Sequence, residues 1–309
     1  MRFWVANTDA QWAGFLASID GLEEANFWQP NGIRPVTLDY GAPWVFKLRQ
    51  SEGGWVIGGG YFAHFTTLSP QLAWEAFGQA NGSLTLEGFI ARLARHSQRK
   101  VDPLATQIGA SILVQPFFLA RDRWIAPPAD WSSNLTRGKT YDTDVGEGKR
   151  LWDSLMVAVA DSSVVTRTSE TRAVPAGFGT TTMIKPRLGQ GAFRVMVTDA
   201  YERRCVVTGE RTLPVLQAAH IKPYSLVGAH ELTNGLLLRS DLHTLFDQGY
   251  LTVSPSDRRL LVSGRIHEEF ENGRDYYALQ GRVISEPRPG FPPPSVEALE
   301  WHAQQVFRG

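Results

Sequence analysis

The chain has 309 residues, with 31 Lys and Arg balanced by 31 Asp and Glu, and a single cysteine. That length suits two ordinary domains. The lone cysteine excludes an intramolecular disulfide and a Cys-rich zinc site, and the charge balance excludes a uniformly basic surface. No run approaches the roughly 18 apolar residues of a membrane span, and the opening MRFWVANTDAQW has no basic segment leading into an apolar one, so the expectation is a cytoplasmic protein with no membrane contact.

The first 65 residues are rich in aromatics: Trp4, Trp12, Phe27, Trp28, Trp44, Trp55, Tyr61, Phe62 and Phe65. RFWVA, WVFKL, WVIGGGYFAHF and SILVQPFFL read as strands, with helices near residues 9–19, 70–77 and 84–96 between them. This pattern predicts a small mixed barrel with helices. Glycines 58 to 60 interrupt a strand pattern and predict a bulge or a close backbone approach. FWVAN, NFWQP and VFKL…WVIGGGYFAHF resemble PUA-like domains of the EVE and ASCH kind, over about residues 1–125. The resemblance implies a reader of modified bases or of RNA, with a flipped base held between aromatic faces. Each such stack contributes about 1–3 kcal/mol. Trp28, Tyr61 and Phe62, with Asn, Gln or Gly neighbours, are the expected pocket residues.

Residues 126–186 read as a connecting region. A helix is predicted over about Lys149 to Ala160, and the Gly-, Thr- and Pro-rich stretch after it has linker composition. Such a linker would let a C-terminal domain reach its own target while the N-terminal domain holds a recognised base.

The most specific signal lies between Cys205 and Tyr250. VLQAAHI is a short apolar run bounded by prolines, which reads as a buried strand carrying His220 to its end. A neutral imidazole there can take a proton from water near neutral pH. DLHTLFDQ then reads as two helical turns, with Ser240 as N-cap and Gly249 as the stop. Four-residue spacing puts His243 and Asp247 on one helix face. An imidazole nitrogen and a carboxylate oxygen form a mixed ligand set for Mg²⁺, Mn²⁺ or a late transition metal. Asn234 opens NGLLLR, where Asn-Gly by itself signals a turn.

AAHI…NGLLLRSDLHTLFDQG resembles the HNH endonucleases, the ββα-metal nucleases, and in particular a restriction-type branch with AAHI and DLHxLFDxG. The resemblance covers about Arg187 to Val262 and implies His220 as general base, Asn234 as the residue that orients it, and His243 as a metal ligand. Asp247 would be a further ligand one turn on. The family usually places a second ligand immediately before the base; this chain has Ala219 there, so a water or another residue such as Asp241 would have to complete the set. Cys205 stands where many HNH proteins begin a zinc knuckle, and without a second cysteine it reads as a small buried residue. Arg194, Arg203, Arg204 and Arg211 form a local basic cluster before the site. Arg204, Lys222, Tyr224 and Arg239 are the expected phosphate or DNA contacts.

The combined expectation is an α+β protein: a PUA-like mixed β-barrel over 1–125, a helix and linker over 126–186, and a ββα-metal nuclease domain over 187–309 ending in a docked helix. The expected activity is Mg²⁺- or Mn²⁺-dependent cleavage of double-stranded DNA carrying methylated or hydroxymethylated cytosine, with a homodimer on DNA. The competing readings are a restriction enzyme for unmodified DNA, a catalytically silent nucleic-acid-binding protein, and an RNA substrate.

Overall fold

The computed structural model describes residues 1–165 and 187–309; the expected linker over 166–186 lies outside the described residues. The chain divides into two compact units, Met1–Ala192 and Phe193–Gly309. Among the described residues no helix is long and apolar enough to cross a membrane.

The first unit contains β1 (Arg2–Thr8), α1 (Ala10–Ala17), β2 (Glu24–Gln29), β3 (Pro43–Leu48), β4 (Val56–Leu68), α2 (Pro70–Phe77), α3 (Leu86–Ser97), β5 (Ile108–Phe118), β6 (Gly138–Asp142) and α4 (Gly146–Val165). Asp9, Ser69 and Thr85 cap the first three helices by accepting from Trp12 N at 2.9 Å, Leu72 N at 3.3 Å and Gly88 N at 3.1 Å. Each cap satisfies a backbone donor that a helix start would leave bare. The six strands lie in the order β2-β5-β4-β3-β1-β6. Among the described residues no pairing joins the outer strands β2 and β6, so the unit is a mixed α+β sheet rather than the expected closed barrel. The apolar strands match the sequence pattern. The short, partly polar edge strands β2 and β6 lack that alternation and were not foreseen.

Glycines 58 to 60 lie in β4, between β3 and β5, where the ladders slip register next to Gly59. A Cβ on Gly58 would stand 2.2 Å from Phe117 O. The glycines therefore serve close strand approach.

The second unit contains α5 (Gln190–Ala200) for most of its length, then β7 (Leu216–His220), α6 (Tyr224–Val227), β8 (Gly235–Arg239), α7 (Ser240–Asp247), β9 (Leu251–Val253), β10 (Leu260–Val262), α8 (Arg265–Phe270), α9 (Arg274–Tyr277) and α10 (Val296–Gln305). β7 and β8 pair antiparallel and α7 follows β8 directly. Buried Phe193, Val197, Cys205, Leu236, Leu238, Leu242, Phe246 and Leu299 belong to its core. Arg239, not Ser240, is the N-cap residue of α7 and makes no side-chain cap. With no turn between strand and helix, Ser240 is already the first helical residue, and its carbonyl accepts from Thr244 Oγ1 at 3.0 Å.

Gly249 ends α7 with φ +78°, and a Cβ there would meet Val306 O at 2.1 Å. Gly249→Ala is expected to lower unfolding free energy by about 2 kcal/mol or more, combining left-handed strain with displacement of the C-terminal segment. Gly264→Ala, where φ is −61° and nothing lies within 4 Å of the added carbon, is the control. Chemical denaturation of both variants checks this; equal midpoints would refute it.

Candidate active site

His220 ends β7 directly across from Gly235 on β8. A Cβ on Gly235 would lie 2.6 Å from Val197 Cγ2 and 3.1 Å from the Phe193 ring, so the glycine makes room for that ring. Phe193 in turn stacks on His220, centroids 4.1 Å apart and planes 9° off parallel. His220 Nε2 lies 2.9 Å from His230 Nδ1. Burial, reinforced by His230 and His243, pushes the His220 pKa down to about 4. The ring is therefore neutral at pH 7 and has an available lone pair.

Asn234 is 4% exposed. Its carboxamide does not bond the His220 ring. Oδ1 accepts from Lys222 N and Nδ2 donates to Lys222 O, each at 2.8 Å, while its backbone oxygen accepts from Ile221 N at 2.9 Å. These bonds tie the strand end carrying His220 to the start of β8, so Asn234 acts on the backbone that bears the imidazole.

Leu242 and Phe246 turn one face of α7 into the core. His243 and Asp247 occupy another, with Nε2 and Oδ2 3.3 Å apart. Gln217 Oε1 lies 2.7 Å from His243 Nδ1. A carboxamide oxygen only accepts, so Nδ1 carries a proton, and Nε2 is the ring nitrogen turned toward the carboxylate, where a neutral ring would hold its lone pair. His220, Tyr224, His243, Asp247 and His302 are among the residues lining one cavity of about 330 Å³.

Residues 205–254 match the HNH_2 family, described as HNH endonuclease. The chain contains an HNH endonuclease domain. No curated protein matches the sequence. Among solved structures the chain is similar to a "Modification dependent TagI restriction endonuclease", with 15% identity over 98% of this chain and 80% of that one, at a TM-score of 0.28. A score that low does not establish a shared fold.

Around the HNH domain the expected phosphate contacts are differently disposed. The Arg239 guanidinium is forked onto Asp241, with both bonds at 2.7 Å. That pairing holds the Asp241 carboxyl below the usual range. Lys222 Nζ stands 5.6 Å over the Trp301 ring. Tyr224, half exposed, stacks on His230 at 4.3 Å, and Arg204 is exposed on the turn before Cys205. Gln217, His230, Phe193 and His302 enter the site without a sequence signal, because none occupies one of the positions that carry the HNH resemblance.

Among the described residues no group of three or more His, Cys, Asp or Glu side chains converges on one point. Ala219 is fully buried in the core and contributes no ligand. The donors present, one imidazole nitrogen whose tautomer is fixed by Gln217 and one adjacent carboxylate, fit a Mg²⁺ or Mn²⁺ ion that keeps most of its water.

In the first unit Trp28 lines a second cavity, of about 340 Å³, with Asn7, Trp12, Phe27, Gln29, His96 and others. Tyr61 and Phe62 do not line it; both are 3% exposed, and Phe62 stacks against Trp44 in the core. β4 is a central strand, paired on both sides and largely buried. Trp12 and Phe27, the aromatics that join Trp28, pack edge to face at 5.2 Å. Among the described residues Asn7 Oδ1, Trp12 Nε1 and Gln29 Oε1 are buried polar atoms without a hydrogen-bond partner.

Gln217→Ala is expected to weaken Mn²⁺ binding about 10–100-fold by freeing the His243 tautomer, with little change in folding because Gln217 is exposed. Calorimetric titration of both proteins with Mn²⁺ measures this; equal affinities would refute it.

His302 packs on Phe246, donates from Nε2 to Phe246 O at 3.1 Å and accepts from Thr252 Oγ1 at 2.9 Å, and burial pushes its pKa down to about 4. The unfolded chain titrates near 6.5, so between 6.5 and 4 it binds protons the native state refuses. The stability is complete above 6.5 and is lost as pH falls through that window. Lowering pH from 6.5 to 5 should remove about 2 kcal/mol through His302 alone, with His220 adding in the same direction. Denaturation of the wild type and His302→Gln across this range should show a shallower slope in the variant.

Proposed function

We propose that the protein is a metal-dependent, restriction-type DNA endonuclease whose N-terminal region reads a modified cytosine. The observation that carries the nuclease half is the neutral His220 ring sharing one cavity with the His243–Asp247 pair, within the HNH domain. In this reading His220 removes a proton from a water aimed at phosphorus, and its depressed basicity keeps it unprotonated at working pH. Asn234 holds the backbone under the base. His243 and Asp247 would hold the divalent ion, which when bound supplies charge stabilisation to the phosphate oxygens in the transition state. Lys222, Tyr224 and Arg204 remain candidates for DNA backbone contact, and one such centre cuts one strand, so a dimer on double-stranded DNA belongs to the proposal.

The reader half is supported by the cavity beside Trp28. Its aromatic walls suit a stacked base. The PUA-like relationship, with the reader over 1–125 and the nuclease over 187–309, is part of this proposal. A second reading, cleavage of unmodified DNA, is favoured by the core positions of Tyr61 and Phe62, which make most of the aromatic content structural.

The deciding assay is cleavage of matched DNAs carrying cytosine, 5-methylcytosine or 5-hydroxymethylcytosine with Mg²⁺ or Mn²⁺, alongside His220→Ala. We expect cleavage of modified DNA, with the variant reduced at least about 100-fold. Equal cutting of all three substrates would remove the reader and keep the nuclease; cutting undiminished by His220→Ala would remove His220 as base.

A further inference from the structure

His220 has two ring nitrogens, and only one can receive a proton from water. Nε2 faces His230 Nδ1 at 2.9 Å, while Nδ1 makes no hydrogen bond among the described residues. When both imidazoles are neutral, a contact of this kind places a single proton between those nitrogens. If His220 donates it, the Nδ1 lone pair of His220 is available as a base. If His230 donates it, the remaining proton of His220 sits on Nδ1 and the base is blocked. The role of His220 therefore depends on what His230 does.

His230 is well placed to act as the acceptor. Its ring is held flat against Tyr224, with centroids 4.3 Å apart and planes 18° off parallel, and lies 5.5 Å from the Phe193 ring that covers His220. It does not line the cavity that His220 shares with His243 and Asp247. It thus approaches His220 from outside the lining of that cavity. Asn234, expected from sequence to orient the base, has both ends of its carboxamide engaged by the Lys222 backbone. Among the described residues the only side-chain hydrogen bond to the His220 ring comes from His230.

We propose that His230 is the positioning residue of the general base: its Nδ1 accepts the Nε2 proton of His220, reserving the Nδ1 lone pair of His220 for the hydrolytic water. This rests on the nuclease reading of the site. In the step it supports, a water proton passes to His220 Nδ1 and the water oxygen forms a bond to phosphorus. The bond from phosphorus to the leaving oxygen breaks with its electron pair, and that oxygen is protonated by solvent. His220 then carries a positive charge, and its Nε2–H bond to His230 becomes charge-assisted and stronger than in the ground state. The contact therefore favours the transition state over the resting site.

The test compares His230→Phe, which keeps a flat ring against Tyr224 but no acceptor, with His230→Asn, which restores an acceptor oxygen. Steady-state cleavage of whichever DNA the wild type cuts is measured for both, with His220→Ala as control, and ¹⁵N NMR of histidine-labelled protein reports the His220 tautomer. We expect His230→Phe to lower kcat about 100-fold with KM unchanged, and His230→Asn to recover most of that loss. The wild-type His220 should be protonated at Nε2, and the His230→Phe protein should show a mixture of tautomers. An Nδ1-protonated His220 in the wild type, or wild-type kcat in His230→Phe, overturns the assignment. If the wild type cleaves and only His220→Ala fails, the His230 proposal falls and the nuclease reading stands. If the wild type itself cleaves no DNA, the nuclease reading falls and takes the catalytic role of His230 with it, whatever the tautomer.

Discussion

The carboxamide of Asn234, closed at both ends on the backbone of Lys222, is the constraint from which the geometry of the second unit follows. It is buried, so each bond is made where water competes poorly and where breaking either one would leave a bare polar group. Through it the strand end carrying His220 is tied to the start of β8, and the antiparallel register then sets His220 across from Gly235. Because β8 passes into α7 without a turn, the same register positions the helix that presents His243 and Asp247. A tie on the main chain thus coordinates three side chains that it never touches.

Aromatic packing around the histidines sets their chemistry as much as their position. Phe193 covers one face of His220, and Phe246 covers His302. Both imidazoles lose hydration and both are driven to the neutral form, one in a site where a lone pair is needed, the other in a core where two hydrogen bonds satisfy it. A weaker base removes a proton from water less readily, so keeping His220 unprotonated comes with a demand for stabilisation of the imidazolium formed in the reaction. The bond to His230 lies where that stabilisation would act.

The first unit uses a different economy of packing. β4 approaches β5 so closely that an added Cβ would clash at Gly58 and crowd its neighbours at Gly60, and the apolar interior even contains Lys47, fully buried, donating to Leu48 O at 2.9 Å and standing 4.4 Å from the Trp131 ring. Burial lowers the Lys47 pKa, while the carbonyl and ring face offer partial compensation for its charge. Polar groups are thus tolerated inside this unit where a partner is at hand. Around the cavity by Trp28, buried polar atoms of some lining residues have no hydrogen-bond partner among the described residues.

Much of this was legible in the sequence because the relevant signals are local. Strand periodicity located β1, β3, β4 and β5; Asp9, Ser69 and Thr85 stand at the starts of three helices. The four-residue spacing put His243 and Asp247 together on α7. The edge strands β2 and β6 escaped because a strand partly exposed to water need not alternate, and the open order of the sheet is a matter of pairing that no single segment encodes. Tyr61 and Phe62 looked accessible beside glycines, but burial is set by the strands on either side, which a linear neighbourhood does not contain. Arg239 was claimed by Asp241. His230 and Gln217 approach the site across a loop and a neighbouring strand. Residue type and spacing determined which chemistry this chain can hold; a hydrogen bond between residues distant in sequence decided that Nδ1 of His243 carries a proton, because a ring nitrogen's role depends on the partner that tertiary folding brings to it.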